Sequence, residues 1–193
     1  MKNPNLRLCA VVLCAASLAA CGGSGNLSIG GTITGLTVPD LVLGNTSNGS
    51  TQAVAALATT FAFSTLLRTD DSYNIVIPSQ PAQAVCTVSN GSGKMSIYNV
   101  STVAVACVTN TYPLGGTIST SGAGTTAGLV LVNGNSQASI NNGIATFAPV
   151  AFGAPYGVSI LTPPTDGSNC TISAGVGTMT AAGVSNVTVI CNK

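Results

Sequence analysis

Seven cysteines, four aspartates and five lysines or arginines are almost the whole reactive inventory of this 193-residue chain, which has no His, no Glu and no Trp. A serine or cysteine nucleophile needs a base to take its proton. Imidazole is absent, and Lys94 and Lys193 are the only lysines beyond the N-terminal segment. Paired carboxylates occur once, as Asp70-Asp71. Neighbours on an extended chain point to opposite faces, so the two acids do not converge on one substrate atom. In the run Arg68-Thr-Asp-Asp-Ser72 they predict a polar turn ahead of a strand. A calcium loop would need more oxygen donors at fixed spacing. Gly30-Gly31 and Gly115-Gly116 are not phosphate loops, since neither opens a helix or precedes a lysine. The formal net charge is +1, with no basic stripe to neutralise phosphates, so nucleic acid is not an expected partner. General acid–base and nucleophilic catalysis both lack their usual residues. The expectation is a non-enzymatic chain with no cofactor and no metal site.

The N-terminus carries an address. Lys2 and Arg7 make a positive n-region, and Leu8 to Leu18 an apolar h-region of about 11 residues. That is short of the roughly 20 residues a membrane-spanning helix needs. Residues 1–20 are therefore expected to be a secretory signal, broken off by Cys21-Gly-Gly-Ser-Gly25. Leu18-Ala19-Ala20-Cys21 resembles the lipobox of bacterial lipoproteins. The resemblance implies cleavage before Cys21, diacylglycerol on its thiol and an acyl chain such as palmitate on its amine. Several chains anchor a protein stably where one holds it marginally. Gly22 stands where inner-membrane lipoproteins often carry Asp, which implies the outer membrane in a Gram-negative cell. The membrane is then a partner through Cys21.

Beyond the signal the chain repeats itself. Gly30-Gly-Thr-Ile33 recurs as Gly115-Gly-Thr-Ile118, Leu41-Val-Leu43 as Leu129-Val-Leu131, and Thr60-Phe-Ala62 as Thr146-Phe-Ala148. Tyr73-x-Ile75 returns as Tyr156-x-Val158. From Cys86 onward the copies run in step at an offset of 84 residues, matching Thr87/Thr171, Gly93/Gly177, Met95/Met179, Val103/Val187, Val105/Val189 and Cys107/Cys191. Solenoid repeats run about 20–50 residues, so a period this long means two tandem small domains. Expected boundaries are residues 21–27 for the lipidated Cys and a Gly/Ser linker, 28–109 for repeat 1, 110–113 for a linker stiffened by Pro113, and 114–193 for repeat 2.

Each copy is written in β. Tyr73-Asn-Ile-Val-Ile77, Val103-Ala-Val-Ala-Cys107, Tyr156-Gly-Val-Ser-Ile160 and Val187-Thr-Val-Ile-Cys191 alternate in steps of two. Asn90-Gly91, Asn133-Gly134, Asn142-Gly143 and Asp166-Gly167 supply turns that tolerate positive φ. The fold class expected is all-β, two tandem small β-sandwiches with one disulfide each. Gln52 to Leu57 is the one stretch with a case for a turn or two of helix.

The repeat also sorts the cysteines. Cys9 and Cys14 leave with the signal and Cys21 takes lipid, so four remain, and four allow three pairings. One pair per copy gives Cys86–Cys107 and Cys170–Cys191, and an exported address makes oxidation plausible. Zinc or redox sites would show close pairs such as C-x-x-C.

Four tyrosines complete the list of candidates. Tyr73 and Tyr156 open a strand in each copy, either as corner tyrosines bonded back to the backbone or as half-buried core rings. Tyr98 and Tyr112 are candidate exposed rings for a sugar, a weak platform without Trp. The Asn-x-Ser/Thr triplets at Asn26, Asn45, Asn48, Asn90, Asn99, Asn169 and Asn186 are compositional. Strands with almost no charge leave their sheet edges unprotected, which suggests pairing with a partner strand or with another copy.

The order Gly-Gly-Thr-Ile, Leu-Val-Leu, Phe-x-Phe, Tyr-x-Val-x-Ile, Cys and a closing Val-x-Val-x-Cys is similar to tandem β repeats of proteobacterial lipoproteins and surface proteins. More loosely, the first half of each unit resembles prealbumin-like and carboxypeptidase-regulatory-like sandwiches, or immunoglobulin-like ones. Adhesin stalk repeats of that shape often carry a Lys–Asn isopeptide bond assisted by an acid; here the disulfide would stand in its place. The second copy departs from the first where Phe63 becomes Pro149, which places that strand end at an edge or in a turn. The function expected is a surface binding or adhesion module with a protein or glycan partner. The alternative is a periplasm-facing accessory docking on an envelope complex by β-edge pairing.

Overall fold

The computed structural model describes residues 25–193, and these contain strands and turns only. The first half holds β1 (Ile29–Thr34), β2 (Leu41–Asn45), β3 (Ser50–Val54), β4 (Thr60–Ala62), β5 (Ser72–Ser79), β6 (Ala84–Ser89), β7 (Ser92–Lys94) and β8 (Val100–Thr109). The second holds β9 (Thr111–Ser121), β10 (Val130–Asn133), β11 (Ser136–Gln137), β12 (Ser139–Asn141), β13 (Ile144–Ala151), β14 (Pro155–Thr162), β15 (Asn169–Ser173), β16 (Val176–Thr178) and β17 (Val184–Asn192).

In the first half the sheets run β4-β1-β8-β6 and β3-β2-β5-β7; in the second, β12-β13-β9-β17-β15 and β11-β10-β14-β16. The two halves are one topology used twice, with β12 added to the second. In each, the first and last strands lie side by side and parallel in the middle of a sheet. The expected pair of all-β sandwiches is the fold.

Alternation fills the two cores. Ile29 and Ile33 on β1, Leu41 and Leu43 on β2, and Val103 and Val105 on β8 point inward with Phe61, Ile75 and Met95. Leu114, Ile118, Leu131, Phe147, Val187, Val189 and Met179 repeat the set. Met95 and Met179 are each 1% exposed, so the methionine shared by both copies plugs one end of each core.

The paired glycines have a backbone reason. The parallel ladders shift register between Ile29 and Gly31 and between Val184 and Val187. At these bulges the neighbouring chain comes so close that a Cβ on Gly31 would collide with the Val103 carbonyl, and one on Gly116 with that of Val187.

Turn chemistry follows the sequence. Asn90, Asn142, Gly134, Gly143 and Gly167 all have positive φ, and Asn142-Gly143 forms the two-residue tip of the β12–β13 hairpin.

Three expectations are corrected. The helix considered at Gln52 to Leu57 is β3 followed by a turn, because Gln52 and Ala53 pair with Leu43 and Val42. Thr111–Pro113, expected as part of the 110–113 linker, are the first residues of β9, with Tyr112 opposite Val150. Only Asn110 separates β8 from β9. Its N–H donates to the Gln83 carbonyl at 2.8 Å, and its own carbonyl accepts from Phe152 N–H at 2.9 Å. Tyr112 is half-buried against Phe152, ring centroids 6.3 Å apart, and is not an open stacking platform. Pro149 sits inside β13, at a bulge between Phe147 and Val150 where its missing N–H interrupts no ladder bond.

Candidate functional site

The cysteines come together as the repeat requires. Cys86 bonds Cys107 and Cys170 bonds Cys191, each across directly paired strands, with Cα atoms 4.0 and 3.9 Å apart. Between the two partners in the first half the chain leaves its sheet, pairs β7 with β5 in the opposite sheet, and returns as β8. The disulfide thus closes a loop that wraps one end of the sandwich. Cys9, Cys14 and Cys21, with the whole signal segment, lie outside the described residues.

The pair bears on the sheet edge. Gln80 behaves as a one-residue strand beside β6: its Oε1 accepts from Cys86 N–H at 2.9 Å and its Nε2 donates to the Cys86 carbonyl at 2.8 Å. Cys86 therefore aims both main-chain groups outward. Cys170 stands in the same register against Cys191, so its N–H and C=O aim outward too. At the matching point of the sequence stand Pro163 and Pro164, and neither carries a side-chain amide. Among the described residues no side chain hydrogen-bonds to the Cys170 main chain. The strand, Asn-Cys-Thr-Ile-Ser, carries no charge.

The tyrosines at the strand starts are core rings. Tyr73 pairs across the ladder with Gly93 and Tyr156 with Gly177. A Cβ on those glycines would fall 2.8 and 2.7 Å from the respective hydroxyls, so each ring lies flat over the missing side chain. Tyr73 is 9% exposed, whereas Tyr98 is 72% exposed.

Asp70-Asp71 forms the expected turn. The Asp71 carboxylate accepts from Arg68 N–H at 2.8 Å, and Met95 exchanges main-chain bonds with both aspartates. Gly153 and Ala154 make the same exchange with Met179, so the turn does not require the acids. Among the described residues no group of three or more His, Cys, Asp or Glu could hold a metal ion, and no helix is long and apolar enough to cross a membrane.

One ordering group escaped the sequence reading. Asn45 is 2% exposed, and its Oδ1 accepts from Asn74 N–H at 3.0 Å and Ser47 N–H at 3.2 Å. Asn133 does the same for Gly157 N–H at 2.9 Å. The signal was present: Asn ends both Leu-Val-Leu runs, at the same distance from Leu41 and Leu129.

In the second half the Asp166 carboxylate accepts from the Ser168 hydroxyl at 2.8 Å and its N–H at 2.9 Å, and lies 3.7 Å from Lys193 Nζ. The Ser168 hydrogen bonds, aided by Lys193, hold its pKa below the ordinary value of 3.8. A shallow apolar groove of about 280 Å³ runs over Pro113, Gly115, Gly116, Ile144, Ala182 and Val184, with no titratable residue along it.

No family model matches the chain, and no curated protein matches it. Among solved structures it is similar to the major pilin protein T-13 of Streptococcus pyogenes, at 10% identity and a TM-score of 0.33, covering 89% of this chain and 98% of that one. It is similar at the same identity and TM-score to the major pilin protein T3.2 of Streptococcus pyogenes, covering 88% and 98%.

Proposed function

We propose that the chain is a lipid-anchored protein of the cell envelope whose two sandwiches form a non-catalytic binding module. On this reading the mature protein begins at Cys21, is held in the outer membrane by its acyl chains, and displays the sandwiches outward. The observation that carries it is the β15 edge. Its main-chain donors and acceptors at Cys170 and Ile172 face away from β17 and take no side-chain hydrogen bond, and the strand itself carries no charge. An open, neutral edge accepts an added strand, whose ladder bonds supply affinity while alternate side chains supply specificity. The partner is then a protein offering an extended segment.

The same edge favours a second reading, an accessory facing the periplasm that docks on an envelope complex. Proteinase K applied to intact and to lysed cells separates the two. Loss of the sandwiches on intact cells supports display at the surface. Survival until lysis removes the surface reading and directs crosslinking at periplasmic neighbours.

A further inference from the structure

The two sandwiches differ in side-chain size at one end. Between the buried methionine and the last strand, the first has Ser96-Ile-Tyr-Asn99 and the second Thr180-Ala-Ala-Gly183. The loop needs neither bulky residue, since alanines at 181 and 182 serve the same connection. Yet Ile97 is 69% and Tyr98 72% exposed. Leaving two such groups in water gains the fold nothing.

Their place in the molecule gives the reason. Asn99 Oδ1 accepts from Ser28 N–H at 2.9 Å, and Val100 N–H donates to the Ser28 carbonyl at 3.0 Å. The loop therefore flanks the point where the chain enters β1. Leu27 bridges to Leu67, and Gly25 lies directly on the Leu67 backbone, so Leu66, 48% exposed, flanks the same point. Three residues separate Gly25 from Cys21, a reach of at most about 14 Å over four Cα steps.

We propose that this end of the first sandwich is a membrane-contacting surface, with Tyr98, Ile97 and Leu66 seated in the headgroup region of the bilayer that holds Cys21. The proposal rests on the lipid-anchor reading above. Tyrosine suits that depth, with an apolar ring and a polar tip. A short tether brings the residues to the interface, and their insertion sets the sandwich upright. The attraction is apolar rather than electrostatic, because Lys94 and Arg68 at this end are matched by Asp70 and Asp71. β8 then runs away from the membrane for ten residues, about 30 Å, before the second sandwich begins. The open β15 edge is thereby held clear of the lipid.

The chain has no Trp, so Tyr98→Trp introduces a lone fluorophore, and Val176→Trp places one on an exposed strand of the second sandwich. Both variants of the full chain are purified from membranes, weighed by mass spectrometry, and reconstituted in phosphatidylethanolamine vesicles with brominated acyl chains, with and without phosphatidylglycerol. The expected result is a blue shift and strong quenching at position 98, equal in both lipid mixtures, with position 176 unaffected. A lipid mass on Cys21 without quenching at 98 overturns this proposal and leaves the anchor standing. Quenching at both positions overturns the upright placement. A protein without the lipid mass overturns the anchor reading, and this proposal with it.

Discussion

The first sandwich covers its β6 edge at Cys86 with the Gln80 amide, whereas the second, at the matching point of β15, has prolines and main-chain groups with no side-chain hydrogen bond. The first sets Ile97 and Tyr98 at the end where the chain enters β1, and the second sets Ala181 and Ala182 where its own end meets the junction. What both keep is the staple, the buried methionine, the bulge glycines, the ring over a glycine and the asparagine at the end of the second strand. The shared set is what one sandwich of this topology needs to fold. Where the copies part company, some residues serve one sandwich alone, as Gln80 and Asp166 do, and Ile97 and Tyr98 are left exposed.

The staples offer the hardest blow to that equivalence. Replacing both cysteines of either pair by serine should cost its sandwich about 3 kcal/mol, by the loop entropy returned to the unfolded chain. Scanning calorimetry of the two double variants should show losses of similar size in different halves. A loss in one half alone would mean that the staples are not interchangeable.

Asn45→Ala and Asn133→Ala should separate the halves next. Asn45 is buried and accepts two N–H groups, so its loss should cost about 2 kcal/mol, against about 1 kcal/mol for Asn133, which is half-buried and accepts one. Urea midpoints of the two variants measure this, and equal shifts would contradict the assigned burial.

The edges sharpen the comparison further. Gln80→Ala should cost only about 1 kcal/mol, since the amide is exposed, while opening β6. Thr171→Lys adds a charge to β15, and Thr87→Lys adds the same charge to the equivalent place on β6. In-cell crosslinking should lose its adducts with Thr171→Lys and keep them with Thr87→Lys. The reverse pattern would place the docking edge on the first sandwich.

The smallest effect is one of pH. Asp166 titrates below its ordinary value when folded, so its contribution is present above pH 3.8 and lost as pH falls through the lower folded value. Between pH 5 and the acid end the second sandwich should lose a small increment of stability that Asp166→Asn removes. Identical acid profiles for wild type and Asp166→Asn would count against it.

Much of the fold was legible because repetition did what an isolated sequence rarely does. Two copies with the same cysteine spacing chose one pairing out of three, and alternation around Tyr73, Val103, Tyr156 and Val187 named strands whose inward faces are the cores. The bulges at Gly31 and Gly116 were not legible, because a glycine pair in a strand does not say which carbonyl approaches it. Tyr112 was misplaced for a related reason. Pro113 resembles a linker residue, but β9 begins before it and carries it beside the bulge of β13, where no ladder bond needs its N–H.

Composition and periodicity alone determined the all-β class, the doubling and the pairing of the cysteines, since burial of alternate side chains and loop closure are properties of the chain's order. Tertiary structure alone decided where an edge is covered and which loop flanks the entry into β1. Gln80 reaches Cys86 only because the chain turns back from the end of β5 into β6, and Asn99 stands beside Ser28 only because the first and last strands run parallel. Such neighbours are made by topology, which brings Ser28 to Asn99 from 71 positions away along the chain.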